Sequence, residues 1–116
     1  MILIVIRSRV RAENAERYYE LAEKMGGIAR AMPGFISWKS YSATDGERVS
    51  IHEWETGEHL RAWKEHPEHR RVQALGRRDF YEEFTINVCE NLRTTRFKRP
   101  TPSRAQIGTI PGIRLG

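Results

Sequence analysis

Apolar residues change their spacing several times along this chain, and each change predicts an element. In the opening run to Val10 they are nearly consecutive, and parity sorts them into Ile2, Ile4 and Ile6 on one side and Leu3, Val5, Arg7 and Arg9 on the other. Both sides begin apolar, which suits a strand covered on each face better than one with a wet face. From Ala15 the spacing turns to three and four, through Tyr18, Leu21, Ala22, Met25, Ile28, Ala29 and Met32. That is the stripe of an amphipathic helix, with Asn14 as its expected cap and Pro33-Gly34 as its end. Two strand-like runs follow, from Phe35 to Tyr41 and from Arg48 to Trp54. They are joined by a polar stretch in which Asp45-Gly46 suits the positive dihedrals of a hairpin turn.

Between Trp54 and Arg77 lie three of the four histidines and two of the three tryptophans, counting Trp54 itself. Thr56 reads as a helix N-cap, Glu58 favours the positive helix end, and Leu60 and Trp63 share a face. Pro67 lacks an N–H and disfavours helix in the residue before it, so it should end this helix near His66 and begin a second. Val72 and Leu75 then form the inner side of the second helix and Gly76 its expected stop. From Phe80 to Leu92 the chain alternates, with Phe80, Phe84, Ile86, Val88 and Leu92 on one parity and Tyr81, Glu83, Thr85, Asn87 and Cys89 on the other. This predicts a long last strand with Tyr81 on its polar side.

The order strand, helix, strand, strand, broken helix, strand predicts an α+β, ferredoxin-like fold: a four-stranded antiparallel sheet with its helices on one face. Leu3 and Val5 lie on the other face, for which no helix remains. A second copy of the sheet is the expected cover, giving a homodimer with two sheets face to face as a dimeric α+β barrel.

Charge narrows the function classes. The net charge is +5 over 116 residues, yet residues 1–90 hold 14 basic against all 15 acidic residues, a balance of −1, and the surplus follows Glu90. The domain is therefore no basic binding surface, and its basic tail would give only salt-sensitive, sequence-blind contact with phosphates, so no specific nucleic acid is expected. The single cysteine, Cys89, excludes an intrachain disulfide, and the opening apolar run is too short for a signal peptide or membrane span, so a cytoplasmic protein without a membrane partner is expected. Residues 97–116 carry Pro100, Pro102, Pro111 and three late glycines, which predicts an irregular arm beyond a domain of residues 1–96. Its Ile107, Ile110, Ile113 and Leu115 suggest that the arm docks on something.

Several motifs then carry a resemblance. Met32-Pro33-Gly34-Phe35, His52-Glu53-Trp54, Ala62-Trp63 and the run His69-Arg70, Gln73, Gly76-Arg77 before an aromatic-rich strand resemble the antibiotic biosynthesis monooxygenase family of dimeric α+β barrels. The resemblance covers residues 1 to about 96 and implies a cofactor-independent monooxygenase acting with O2 on a small phenolic, quinol or anthrone-like aromatic. Such chemistry asks for an apolar cavity, a base or hydrogen-bond donor near the phenol, and exclusion of water. The implied cavity wall is Ile4, Ile6, Trp63, Phe84 and Ile86, with Gln73 beside the substrate and His52, His66, His69 or Tyr81 as the polar group. His69 is the favoured base, because its pattern lies two turns from Trp63. The family's haem-degrading members use an asparagine on the first strand, a tryptophan on the second helix and a histidine ten residues later. Ile6, Trp63 and Gln73 stand at those places, so no cofactor is expected.

Each of these residues also has a plainer reading. Trp54 reads as a core aromatic, and Trp63 equally as core or as site. His66 and His69 are three apart, but Pro67 shifts the helical phase between them and no zinc spacing is repeated nearby, so no metal is expected. His66 also reads as a cation at the end of the first half-helix, and His52 as either an interface histidine or a base near neutral pH. Gly76-Arg77 reads first as a helix stop. Cys89 reads as structural. The rival to an enzyme is a binding or structural dimer that catalyses nothing.

Overall fold

The computed structural model describes residues 1–101. Four strands and three helices follow one another as β1 (Ile2–Val10), α1 (Ala15–Arg30), β2 (Phe35–Ser42), β3 (Arg48–Trp54), α2 (Gly57–Glu65), α3 (Pro67–Leu75) and β4 (Tyr81–Glu90). The strands form one sheet in the order β2-β3-β1-β4, with every neighbouring pair antiparallel. This is the expected α+β, ferredoxin-like fold. The predicted tail docking by Ile107, Ile110, Ile113 and Leu115 lies outside the described residues.

Parity places the core. Ile4 of β1 pairs with His52 of β3 and Val88 of β4, and Ile2 with Trp54, so the even-numbered residues of β1 share the face on which the helices pack. There Ile4, Met25, Ala29, Trp54, Leu60 and Trp63 form a buried cluster, flanked by Ile2, Ile28, Met32 and Phe35. On the opposite face Leu3, Val5, Val49 and Ile51 are only half-buried in the single chain.

The local signals act largely as their chemistry requires. Thr56 caps α2, its hydroxyl accepting the His59 N–H at 3.2 Å. Gly34 has φ +81°, and a side chain there would collide with the His59 ring, so glycine is required on two counts. Pro67 begins α3, as its fixed φ and missing N–H favour at a first helical position.

Four expectations fail locally, each for a physical reason. Asn14 precedes α1 without a capping side-chain bond; its amide instead donates to the Asp79 carbonyl at 2.6 Å and ties the helix start to the turn before β4. In the hairpin only Gly46 takes a positive φ, while Asp45 accepts the Glu47 N–H through its carboxylate. Gly76 does not stop α3: it stays in right-handed helical geometry, and the helix widens into a π-type turn over Gly76–Phe80. Tyr81 is not on the polar side of β4. A bulge sets Arg9 opposite Glu83 but Val10 opposite Tyr81, and the extra residue reverses parity, turning Tyr81 toward the helices.

Candidate functional site

Between the sheet and helices α1 and α3 lies a cavity of about 120 Å³. Its floor comes from the helix-side face of the strands: Ile6, Trp38, Ser50, His52, Phe84 and Ile86. Tyr18, Ala22 and Met25 of α1 form one wall, His69, Val72 and Gln73 of α3 another, and the wide turn closes an end with Phe80 beside Tyr81. An apolar cavity of roughly 150 Å³ is known to hold benzene, so this one is the size of a single ring.

Two histidines face this space from opposite layers. On α3, the His69 ring is stacked on Trp63, with centroids 4.2 Å apart and planes within 13°. Its Nδ1 lies 3.1 Å from the Trp63 carbonyl oxygen. A carbonyl only accepts, so Nδ1 carries the hydrogen and the neutral ring keeps its lone pair on Nε2. Burial lowers the His69 pKa, and nearby His66 and Lys64 add smaller repulsions, while the bond to the Trp63 carbonyl opposes the shift. His69 is therefore neutral near pH 7 and able to accept a proton.

On β3, His52 is 3% exposed, and neither ring nitrogen has a hydrogen-bond partner among the described residues. Its ring lies against Trp38 at 3.7 Å. Burial lowers its pKa from the ordinary 6.5 to about 4, with repulsion from His69 as the smaller cause. A neutral imidazole has one donor and one acceptor, and leaving both unmade in a buried position is costly unless a ligand supplies the partners.

The rest of the polar lining is Gln73, a short chain of hydroxyls, and the guanidinium groups of half-buried Arg48 and exposed Arg77. Ser50 shares a hydrogen bond of 2.7 Å with Ser40, to which Arg48 Nη2 donates at 3.1 Å. Tyr81 donates to the Tyr18 hydroxyl at 3.3 Å, and burial raises the Tyr81 pKa, so it remains a protonated donor.

Among the expected substrate residues, Ile6, Gln73, Phe84 and Ile86 line the cavity, but Ile4 belongs to the packed core beyond it. Trp63 is 1% exposed and sits behind His69, so it holds the imidazole rather than the cavity surface. His66 is not at the wall either. Its Nδ1 accepts the Glu68 N–H at 3.2 Å, so its side chain caps the start of α3 rather than the end of α2.

Sequence reasoning missed Trp38, Arg48, Ser50, Tyr18 and Phe80. The first three were accessible in principle, because parity from Trp54 and His52 back to Ser50 and Arg48 puts all four on one face of β3, with Trp38 paired to His52. Among the described residues no group of three or more His, Cys, Asp or Glu is placed to hold a metal. Nor do the lining residues fit haem. Ile6 and Gln73 offer no strong iron ligand, and His69 borders a space of single-ring size, whereas a porphyrin is several times larger.

Comparison with known proteins gives the family context. The family described as antibiotic biosynthesis monooxygenase matches residues 1–75. The uncharacterized protein YqjZ of Bacillus subtilis is 32% identical over 97 residues, covering 84% of this chain and 85% of its own length. Among solved structures, Rv0793 from Mycobacterium tuberculosis superposes with a TM-score of 0.74 at 19% identity, covering 82% of this chain and 98% of that one. SnoaB from Streptomyces nogalater, a cofactor-independent oxygenase, does so with a TM-score of 0.69 at 17% identity, covering 80% and 94%. At such identities the two structures establish a shared fold.

Proposed function

Because this chain belongs to the antibiotic biosynthesis monooxygenase family, we propose that it is a cofactor-independent monooxygenase that oxidises a small single-ring phenol or quinol with O2. The carrying observation is a neutral imidazole, His69, whose Nδ1–H is held by a backbone carbonyl and whose Nε2 is left as a base beside a mainly apolar, aromatic-walled cavity. Nε2 accepts the phenolic proton, and the electron-rich phenolate passes an electron to O2. Recombination at a ring carbon forms a hydroperoxide, which loses water. For a quinol, one oxygen atom enters the ring, the other leaves as water, and the product is the hydroxyquinone. His52, neutral and with a donor to spare, stabilises the developing ring oxyanion.

Cavity size argues for one ring over a fused anthrone. SnoaB, described as a cofactor-independent oxygenase, is consistent with the reaction class. The test is oxygen uptake on hydroquinones. His69→Ala should lower turnover by roughly 10² to 10⁴ with the far-UV circular dichroism unchanged. Full activity in that variant removes His69 from the mechanism. Binding of the ring without uptake by the wild-type protein leaves a non-catalytic ligand-binding protein as the better reading.

The assembly belongs to the same proposal. Leu3, Val5, Val49 and Ile51 form an apolar centre on the sheet face away from the helices, bordered by the Arg7–Glu47 pair and the Arg9–Asp45–Glu83 cluster. A second copy packed face to face covers it as a homodimer. Sedimentation at micromolar concentration should give a dimer and Ile51→Glu a monomer; a wild-type monomer overturns this assembly. No helix among the described residues is long and apolar enough to cross a membrane, and we place the protein in the cytoplasm, with a domain of residues 1–96 followed by a basic arm.

A further inference from the structure

The cavity's charges do not balance, and the imbalance indicates its ligand. Its lining holds Arg48 and Arg77 and no aspartate or glutamate. An arginine is always cationic, and one at a buried site normally meets a carboxylate or phosphate. Arg48 meets neither. Among the described residues no carboxylate comes within ion-pair distance of it, and its buried Nε has no hydrogen-bond partner. Its position is nevertheless fixed, by the Ser40 hydroxyl and by the faces of Tyr18 and Tyr19, whose centroids lie 5.4 and 5.1 Å from the guanidinium carbon. A held but unpaired guanidinium is arranged to receive an anion.

What lies outside it points the same way. Arg48, Trp38 and Ala22 also border a second, more polar cleft between α1 and β2, whose wall adds Arg30 and Lys39 against the single acid Glu23. Arg48 thus stands at the throat between a cationic outer cleft and a single-ring inner cavity. Such a cleft draws anions toward the throat. On β3, Arg48 and His52 share a face four residues apart, about 13 Å between their Cα atoms at ~3.3 Å per residue.

We propose that the preferred ligand is a hydroxylated single-ring aromatic carboxylate, its ring in the inner cavity with the hydroxyl toward His52 and His69, and its carboxylate on Arg48 at the throat. This deepens the monooxygenase reading and rests on it only for the fate of the hydroxyl. Arg77 is the weaker clamp, because it is exposed and lies over the Phe84 ring.

Binding of 2,5-dihydroxybenzoate, its neutral amide and hydroquinone, followed by tryptophan quenching and calorimetry alongside oxygen uptake, tests the inference. The acid should bind wild-type protein about tenfold or more tighter than the amide, as a charge-assisted contact requires. Arg48→Met should abolish that preference, Arg48→Lys should keep part of it, and Arg77→Met most of it. A wild-type acid-to-amide ratio near one overturns the inference without any variant, and so does a preference that survives Arg48→Met or disappears only in Arg77→Met. Tight, acid-selective binding without oxygen uptake leaves the inference standing and defeats the oxygenase. Uptake of neutral quinols with no preference for the acid does the reverse.

Discussion

The helix-covered face of the sheet has two ends that differ in almost every physical respect. Toward the start of β1 and the end of β3, Ile4, Trp54, Leu60 and Trp63 pack solidly, with Trp54 and Trp63 stacked 6.2 Å apart. Toward the other end β1 presents Ile6 and β3 presents Ser50 and Arg48, and the space above them is the cavity. The step from Trp54 to Ser50 along β3 removes side-chain volume that would fill the layer between sheet and helices. A fold of this size thus keeps one dense end and one hollow end. His52 and His69 sit where the two meet, which gives them a rigid aromatic backing on one side and open volume on the other.

If the dense end carries the stability, truncating it should cost most. Trp54→Ala should lose roughly 3–5 kcal/mol in equilibrium urea unfolding, because the transfer term and the residual cavity add. A loss below about 1 kcal/mol would show that the two ends share the load.

The next effect lies at the boundary and depends on pH. His52 has a folded pKa near 4 against its ordinary 6.5, so in that interval the unfolded chain binds a proton that the folded protein refuses. The stability is therefore complete above about pH 6.5 and falls as the pH is lowered toward 4, by on the order of 3 kcal/mol. His69, also lowered, adds a contribution of the same sign. Urea melts compared at about pH 7 and about pH 4.5 should show a steeper loss in wild type than in His52→Phe, which has no such proton to exclude; parallel losses would mean that His52 is not desolvated.

The smallest stability effect belongs to the hollow end. Ala22→Leu places three carbons at the border of cavity and cleft, and with room to receive them it should change stability by less than about 1 kcal/mol, whereas overpacking a dense core costs more. The same variant should weaken ring binding at least about tenfold. A large destabilisation would mean that this end is as tightly packed as the other.

The elements of this protein were legible in its sequence because they are local. Strand parity in Ile2 to Ile6, the helical stripe from Tyr18 to Met32, the cap at Thr56 and the break at Pro67 each depend on the spacing of neighbours, and they suffice for the element order and hence the fold. Part of the cavity was legible as well: Ile6, Gln73, Phe84 and Ile86 were implied by the family resemblance, and His69 by its place after Pro67. What tertiary structure alone decided were the relations between residues far apart in the chain. Asn14 left its capping role for the Asp79 carbonyl, and the bulge at Arg9–Val10 turned Tyr81 toward Tyr18. Trp63 was set behind His69 rather than in front of it, and Arg48 was left without an acid. Each is a choice among hydrogen-bonding and packing partners that the folded chain brings together, and the free energies that separate such choices arise only when water has been excluded between them.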